Sequence, residues 1–334
     1  MKKIYIKTTE ACNLRCKHCY IGDNRNKINF FNEDKVIDWL KRYKDVYKED
    51  LYISFHGGEP FIAPINKVLK ICKAFSNEKL DATSNLLILN KDITNLIKTY
   101  FRDDNNEPFV KTSWDWKIRF NNSQELEWIN NVKKLLSENI KVKVNICLTK
   151  SLIEDWEPIN LITYLSNIGI KEIHFERLSY NTIEDKNLIP DYDKQDEWML
   201  KFYLSNTKLK VDNFEELKYA AGHIFIDCRK RQCMNNVITI NANGTIGACP
   251  NTSIKYWYTT VNNEIETIPC YKHCELIKKE QDKNPQCYYC ELYTMCNGDC
   301  CQLSWINNKC PAFKKLMKQI KNDVERKKKT GIFN

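Results

Sequence analysis

Three cysteines stand within eight residues near the N-terminus: Cys12, Cys16 and Cys19, spaced C-x3-C-x2-C. Thiolates are soft ligands, and several in one loop read as a metal site. The number three is informative. A structural zinc takes four protein ligands, whereas a cubane iron–sulfur cluster held by three thiolates keeps one iron open to an outside ligand. Two readings stand: a cluster with one iron reserved for chemistry, or a zinc site completed by a distant residue or by His18 inside the loop. A second motif, SFHGGEP at 54–60, offers two glycines and an acid. Gly57 and Gly58 let backbone come close to a ligand, with no Cβ in the way. Glu59 supplies an anionic acceptor for an ammonium group. By itself such a motif is also a tight turn from strand to helix.

The remaining cysteines are concentrated at the other end. Eleven of the sixteen lie from Cys228 onward. Cys228 and Cys233 bracket RKRQ, and Cys233 is followed by ten residues, Gly244, four residues and Cys249. Cys287, Cys290, Cys296 and Cys300 then follow with gaps of two, five and three, and Cys310 comes last. Such C-x2-C knuckles also build double zinc ribbons. Cys72 and Cys147 fall on apolar faces and are expected in the core, where free cysteine is common. Cys270 and Cys274, one helical turn apart, and Cys301 are expected to pack.

The elements that must position these residues alternate along the first half. Strand-like runs occupy 3–7, 50–55, 80–85, 109–114, 141–149 and 171–178; amphipathic stretches occupy 32–47, 64–75, 123–138 and 155–169. Apolar residues in the amphipathic stretches recur at three- and four-residue steps. Strands alternating with helices imply βα units and a parallel sheet, either open and doubly wound or closed into part of a barrel. In such folds chemistry gathers at the carboxyl ends of strands, where both motifs lie. A linker is expected near 179–192, helices across 191–221, a hairpin at 237–250 around Asn243-Gly244, and a closing helix at 311–329 started by Pro311. The chain has 334 residues, 43% of them hydrophobic, enough for one large domain and a smaller one. Its formal charge of +9 is mild and no nucleic-acid signature. Most lysines are expected on a solvated surface. The N-terminus lacks the apolar core of a signal peptide, and no stretch reaches the roughly 18 apolar residues of a membrane span. Disulfides need an oxidising compartment, so clustered cysteines in a cytoplasmic chain read as metal ligands.

The C-x3-C-x2-C loop, with a GGE motif one βα unit later, resembles the radical S-adenosylmethionine (SAM) superfamily. The C-x10-G-x4-C…C-x2-C-x5-C-x3-C…C pattern resembles its SPASM extension, the twin-cluster domain of peptide- and protein-modifying members. The resemblance implies a partial (β/α)6 TIM-like barrel followed by a small cysteine-rich domain with a β-hairpin and helices. It divides the chain into a core at 1–190, a helical bridge at 191–227 and a SPASM domain at 228–334. It implies three [4Fe-4S] clusters and S-adenosyl-L-methionine as cofactors. Cys12, Cys16 and Cys19 would hold the SAM-binding cluster. Cys228, Cys233, Cys249 and Cys300 would hold auxiliary cluster I, and Cys287, Cys290, Cys296 and Cys310 auxiliary cluster II. Gly57, Gly58 and Glu59 would hold the methionyl ammonium. His18 and Leu178 would lie near the adenine, and Ser113 and Asn145 near the ribose or methionyl part. The related S-x-D-G text has Trp116 in place of its glycine here.

The activity so implied is reductive cleavage of SAM to a 5′-deoxyadenosyl radical that abstracts hydrogen from a peptide or protein side chain. The outcome would be crosslinking, oxidation or epimerisation. Expected partners are a peptide or protein substrate, an electron donor such as flavodoxin or ferredoxin, and a separate leader-peptide-binding protein, because only eleven residues precede Cys12. Neither a membrane nor a specific nucleic acid is expected. Three alternatives stand beside this: a dehydrogenase or carbon-skeleton enzyme acting on a small molecule such as a sugar, a sulfatase-maturing enzyme, or a zinc-stapled binding module. Pro250 stands where sulfatase-maturing relatives carry an Asp after the cysteine matching Cys249, which weighs against that reading. Asp227, Glu176 and Asp299 are candidate acid–base groups, with structural or surface roles as the plainer reading.

Overall fold

A computed structural model describes residues 1–179, 183–222, 237–253, 255–265, 284–287, 289–296, 299–300 and 302–330. The expectations placed on Cys228, Cys233, Cys270, Cys274, Cys301 and Asp227 lie outside these residues. By contacts the chain divides into two compact units. One comprises Met1–Ser113, Ile118–Lys143 and Cys233–Glu275; the other comprises Trp114–Lys117, Val144–Gln232 and Leu276–Asn334.

The βα alternation is present. In order come β1 (Lys2–Thr9), α1 (Glu33–Tyr47), β2 (Leu51–Gly57), α2 (Ile65–Ala74), β3 (Lys79–Ala82), α3 (Lys91–Tyr100), β4 (Phe109–Ser113), α4 (Asn122–Ser137), β5 (Lys141–Leu148), α5 (Lys150–Asp155), α6 (Pro158–Ile168) and β6 (Glu172–Arg177). One sheet contains β1, β2 and β3 paired in parallel, and a bridge between Thr83 and Lys111 leads on to β4. A second sheet has the order β4-β5-β6-β7, with β7 at Lys210–Val211. Within each sheet, strands consecutive in the chain lie side by side, as βα units require.

In the first unit, residues of alternate parity divide the sheet into two faces. Ile4, Ile6, Ile53, Phe55, Leu80, Ala82 and Val110 are buried on the helix-facing side. Lys3, Tyr5 and Lys7 share the other face of β1, in register with Tyr52, Ser54 and His56 of β2. The inner face is therefore polar. The hairpin expected at 237–250 forms as β8 (Val237–Ile240) and β9 (Thr245–Gly247), with Gly244 at φ +83°. It does not stand apart: β8 pairs in parallel with β1, and β10 (Trp257–Thr260) continues the sheet beyond β9.

Local sequence explains several boundaries. Asn32 caps α1 by accepting from Lys35 N, and Asn121 with Gln124 forms a capping box on α4. The single helix expected at 155–169 is two, because Pro158 opens α6 and Trp156 and Glu157 are extended. Gly169 ends α6 in the left-handed region, at φ +96°. In the second unit, α7 (Tyr192–Leu204), α8 (Asp212–Gly222) and α10 (Lys314–Thr330) pack together; α9 is a single turn at Tyr293–Cys296. The closing helix starts at Lys314 rather than Pro311. Among the described residues, no helix is long and apolar enough to cross a membrane.

Candidate functional site

The three-cysteine loop leaves the carboxyl end of β1 and is held by its own side chains. Arg15 donates to the carbonyls of Cys12 (2.7 Å) and Leu14 (2.9 Å) and to Asn26 Oδ1 (2.7 Å). Arg25 donates to the Cys16 carbonyl at 3.0 Å, while its own carbonyl accepts from Cys12 N at 3.1 Å. Cys16 is buried, and Cys12 and Cys19 are half-buried. Burial pushes the Cys12 thiol up to about 11, and Glu59, Cys16 and Cys19 push the same way. A thiol placed as Cys12 is keeps its proton until a cation replaces it, which suits a soft, positively charged metal group. His18 is half-buried in the same loop.

The GGE turn acts first on this loop. Gly58 N donates to Thr9 O and Glu59 N to Ala11 O, both at 2.9 Å. A Cβ on Gly57 would lie 2.2 Å from Thr9 O, and one on Gly58 would lie 2.1 Å from Ala11 O. At both glycines the missing Cβ lets the turn come close to the backbone that carries the cysteine loop. Glu59 is fully buried. Its Oε1 accepts from Ser84 Oγ (2.7 Å) and Phe61 N (3.3 Å), and its Oε2 from Asn85 N (2.7 Å). These three bonds leave about one of the four lone-pair positions of a carboxylate. Burial lifts its pKa to about 7, against the pull of those donors. Asn85 also donates to Asn13 Oδ1 at 2.7 Å, so the turn after β3 grips the cysteine loop as well. Sequence reasoning passed over Ser84 and Asn85; the signal was a short polar run where strand β3 stops.

Ser113 ends β4 on the face it shares with Lys111. In the second unit, Asn145 and Cys147 lie on one face of β5, opposite buried Val144, Ile146 and Leu148. Cys147 is thus not the core residue expected; it is half-buried on the Asn145 side, and its N–H donates to Asp115 Oδ1 at 2.7 Å. Cys72 is fully buried, as expected. Leu178 is buried just past β6.

Also in the second unit, Cys287, Cys290, Cys296 and Cys310 line one pocket together with Leu292, Tyr293 and Trp305. Burial first, then Asp299 and the neighbouring thiols, pushes Cys296 up. Cys300 is exposed and not among the lining residues. Asp299 is structural: it takes both arms of Arg177 at 2.5 and 2.6 Å and accepts from Cys300 N at 2.7 Å. Arg177 also donates to Pro311 O at 3.1 Å and lies over the Phe313 ring, so one guanidinium ties together the segments around Cys296, Cys300 and Cys310. Glu176 pairs with His174 at the surface. In the first unit, Cys249 is half-buried at the turn after β9.

Residues 6–159 match the profile of the Radical SAM superfamily. An uncharacterised protein of Methanocaldococcus jannaschii is 24% identical over 267 residues, 75% of this chain and 85% of that protein. The solved structure of anSMEcpe with bound AdoMet superposes with a TM-score of 0.73 at 14% identity, covering 98% of this chain and 97% of that one. Streptococcus suis SuiB bound to its precursor peptide SuiA gives 0.63 at 16% identity, covering 93% and 76%. At these identities the structures establish the fold alone.

Proposed function

We propose that the chain holds three [4Fe-4S] clusters and S-adenosylmethionine and modifies a peptide or protein side chain in the cytoplasm. The observation that carries this reading is the pairing of two cysteine sets: a loop of three after β1, and four around one pocket in the second unit. Bound at Cys12, Cys16 and Cys19, the first group would supply the electron that splits SAM and so starts hydrogen abstraction from substrate. Arg15, Arg25, Gly57, Gly58 and Asn85 keep the loop in one shape, so its thiols are pre-arranged for that group. Glu59, with one acceptor position left, would take the methionyl ammonium. His18, Ser113, Asn145 and Leu178 would contact the rest of SAM. Cys287, Cys290, Cys296 and Cys310 would hold one auxiliary cluster, and Cys228, Cys233, Cys249 and Cys300 the other. Both would be fully ligated and carry electrons away from a substrate radical.

A peptide substrate is supported by two structures of like fold: anSMEcpe with AdoMet and the Cp18Cys peptide, and SuiB with SuiA. The reaction class is crosslinking, oxidation or epimerisation. The electron would come from a flavodoxin or ferredoxin, and a separate protein would present any leader peptide. Anaerobic reconstitution tests the core of the reading. The expected result is about 12 irons per chain and 5′-deoxyadenosine released from SAM with dithionite. A colourless protein that takes up zinc and leaves SAM intact would overturn it.

A further inference from the structure

Lys7 is fully buried on β1, on the polar inner face of the first unit. Its ammonium donates to Ser253 Oγ at 3.0 Å. The same Nζ lies 5.1 Å from the centre of the Tyr20 ring. Tyr20 directly follows Cys19. Ser253 closes the turn that begins at Cys249, since its N–H donates to Cys249 O at 2.8 Å. A fixed amine is therefore lodged between two cysteine-bearing segments more than two hundred residues apart in the chain.

The lodging is built rather than incidental. Ser253 is itself fully buried, and its hydroxyl donates to Asn241 Oδ1 at 2.7 Å, leaving its lone pairs for Lys7. Asn241 is held in turn by Thr245 Oγ1 (2.9 Å) and Ser253 O (3.1 Å). Gly247 makes room for this turn: a Cβ there would meet Ser253 Cβ at 2.8 Å. Among the described residues, Lys7 makes one hydrogen bond, although an ammonium has three N–H donors. Its register neighbour His56 brings no charge, because burial, then Lys7 itself, lowers its pKa to about 4. Tyr20 donates to or accepts from His56 Nδ1 at 3.3 Å. Glu10, the acid that acts on Lys7, accepts from Asn29 Nδ2 at 3.2 Å. Burial lowers the Lys7 pKa to about 8 while Glu10, Cys249 and Cys19 oppose the fall, so the group is cationic at neutral pH. A buried cation with so few partners is costly unless an anion faces it.

We propose that Lys7 is a positioning residue whose fixed charge faces the anionic iron–sulfur groups held at Cys19 and Cys249 and raises their reduction potentials. This rests on the reading given under Proposed function. A positive charge in a low-dielectric interior stabilises the reduced, more negative form of a cluster. The amine thus sets how readily an electron enters at the N-terminal loop.

The test is a redox titration of the full reconstituted chain followed by electron paramagnetic resonance. The signal that changes on adding SAM identifies the N-terminal group. Lys7→Met should lower the reduced-to-oxidised ratio at a fixed poise about tenfold, 59 mV for a one-electron couple. Lys7→Arg should restore it. Ser253→Ala, which removes the hydrogen bond and keeps the charge, should leave the midpoint near wild type. Where Lys7→Met does not load iron, Lys7→Gln makes the same comparison with a donor kept for Ser253. An unchanged midpoint in an iron-loaded, SAM-cleaving Lys7 variant overturns the inference alone. A midpoint shifted equally by Ser253→Ala overturns it too, in favour of a packing role. A wild-type chain that binds no iron overturns both this inference and the reading beneath it.

Discussion

Glu59 joins the turn after β2 to the turn after β3, and its burial sets a test at the level of one carboxyl. Its folded pKa, about 7, lies above the ordinary value of 4.5. The folded state then binds more protons than the unfolded state between those values, so stability falls as pH rises through that window. In the metal-free protein this contribution is of order 3 kcal/mol. Urea unfolding at pH 5 and pH 7 should show the loss in wild type and a flatter profile in Glu59→Gln; parallel profiles would refute it. Gly58→Ala should displace the cysteine loop, since no neighbour of that Cβ can move without moving backbone. The expected loss is about 1–3 kcal/mol of stability, with lowered iron content measured on the same sample. Lys7 shows where residue-level reading falls short. A lysine near the N-terminus reads as surface by its type, yet the alternation Lys3-Ile4-Tyr5-Ile6-Lys7 already places it opposite the apolar face. Its burial depends on β8 and the Cys249 turn, which return from more than two hundred residues away.

At the scale of elements, periodicity and caps located most of the framework. The N-terminus of α4 rests on Asn121, whose side chain accepts from Gln124 N at 2.9 Å. Asn121→Ala should cost about 1 kcal/mol, read as a lower urea midpoint with unchanged slope; a Gly there should cost only a few tenths. Helix α3 was not expected, because its ten residues carry a short apolar pattern, KDITNLIKTY, between two strand-like runs. Its Asn90 cap, which accepts from Ile93 N at 3.0 Å, was the signal available. Strand β7 has two residues and exists only because Lys210 and Val211 pair with Glu172 and Ile173. No local pattern announces a strand that short; its neighbour makes it.

For the whole molecule, the second unit depends on a buried ion pair. Arg177→Met leaves Asp299 buried and without its guanidinium, an expected loss of about 3–5 kcal/mol; removing both charges together should cost much less, and a double-mutant cycle measures the difference. If the four cysteines of the pocket hold one cluster, Cys290→Ala should lower iron from about 12 to about 8 per chain while SAM cleavage at the N-terminal loop persists. The sequence by itself determined the βα order and the two groupings of cysteines along the chain, because residue spacing and apolar periodicity are local properties of the chain. Only the tertiary structure decided that the GGE glycines press on the cysteine loop's own backbone, that Cys147 faces the Asn145 side of β5, and that Lys7 sits between Tyr20 and Ser253. Those are contacts between segments distant along the chain, and their energies come from burial and packing that no short window of residues contains.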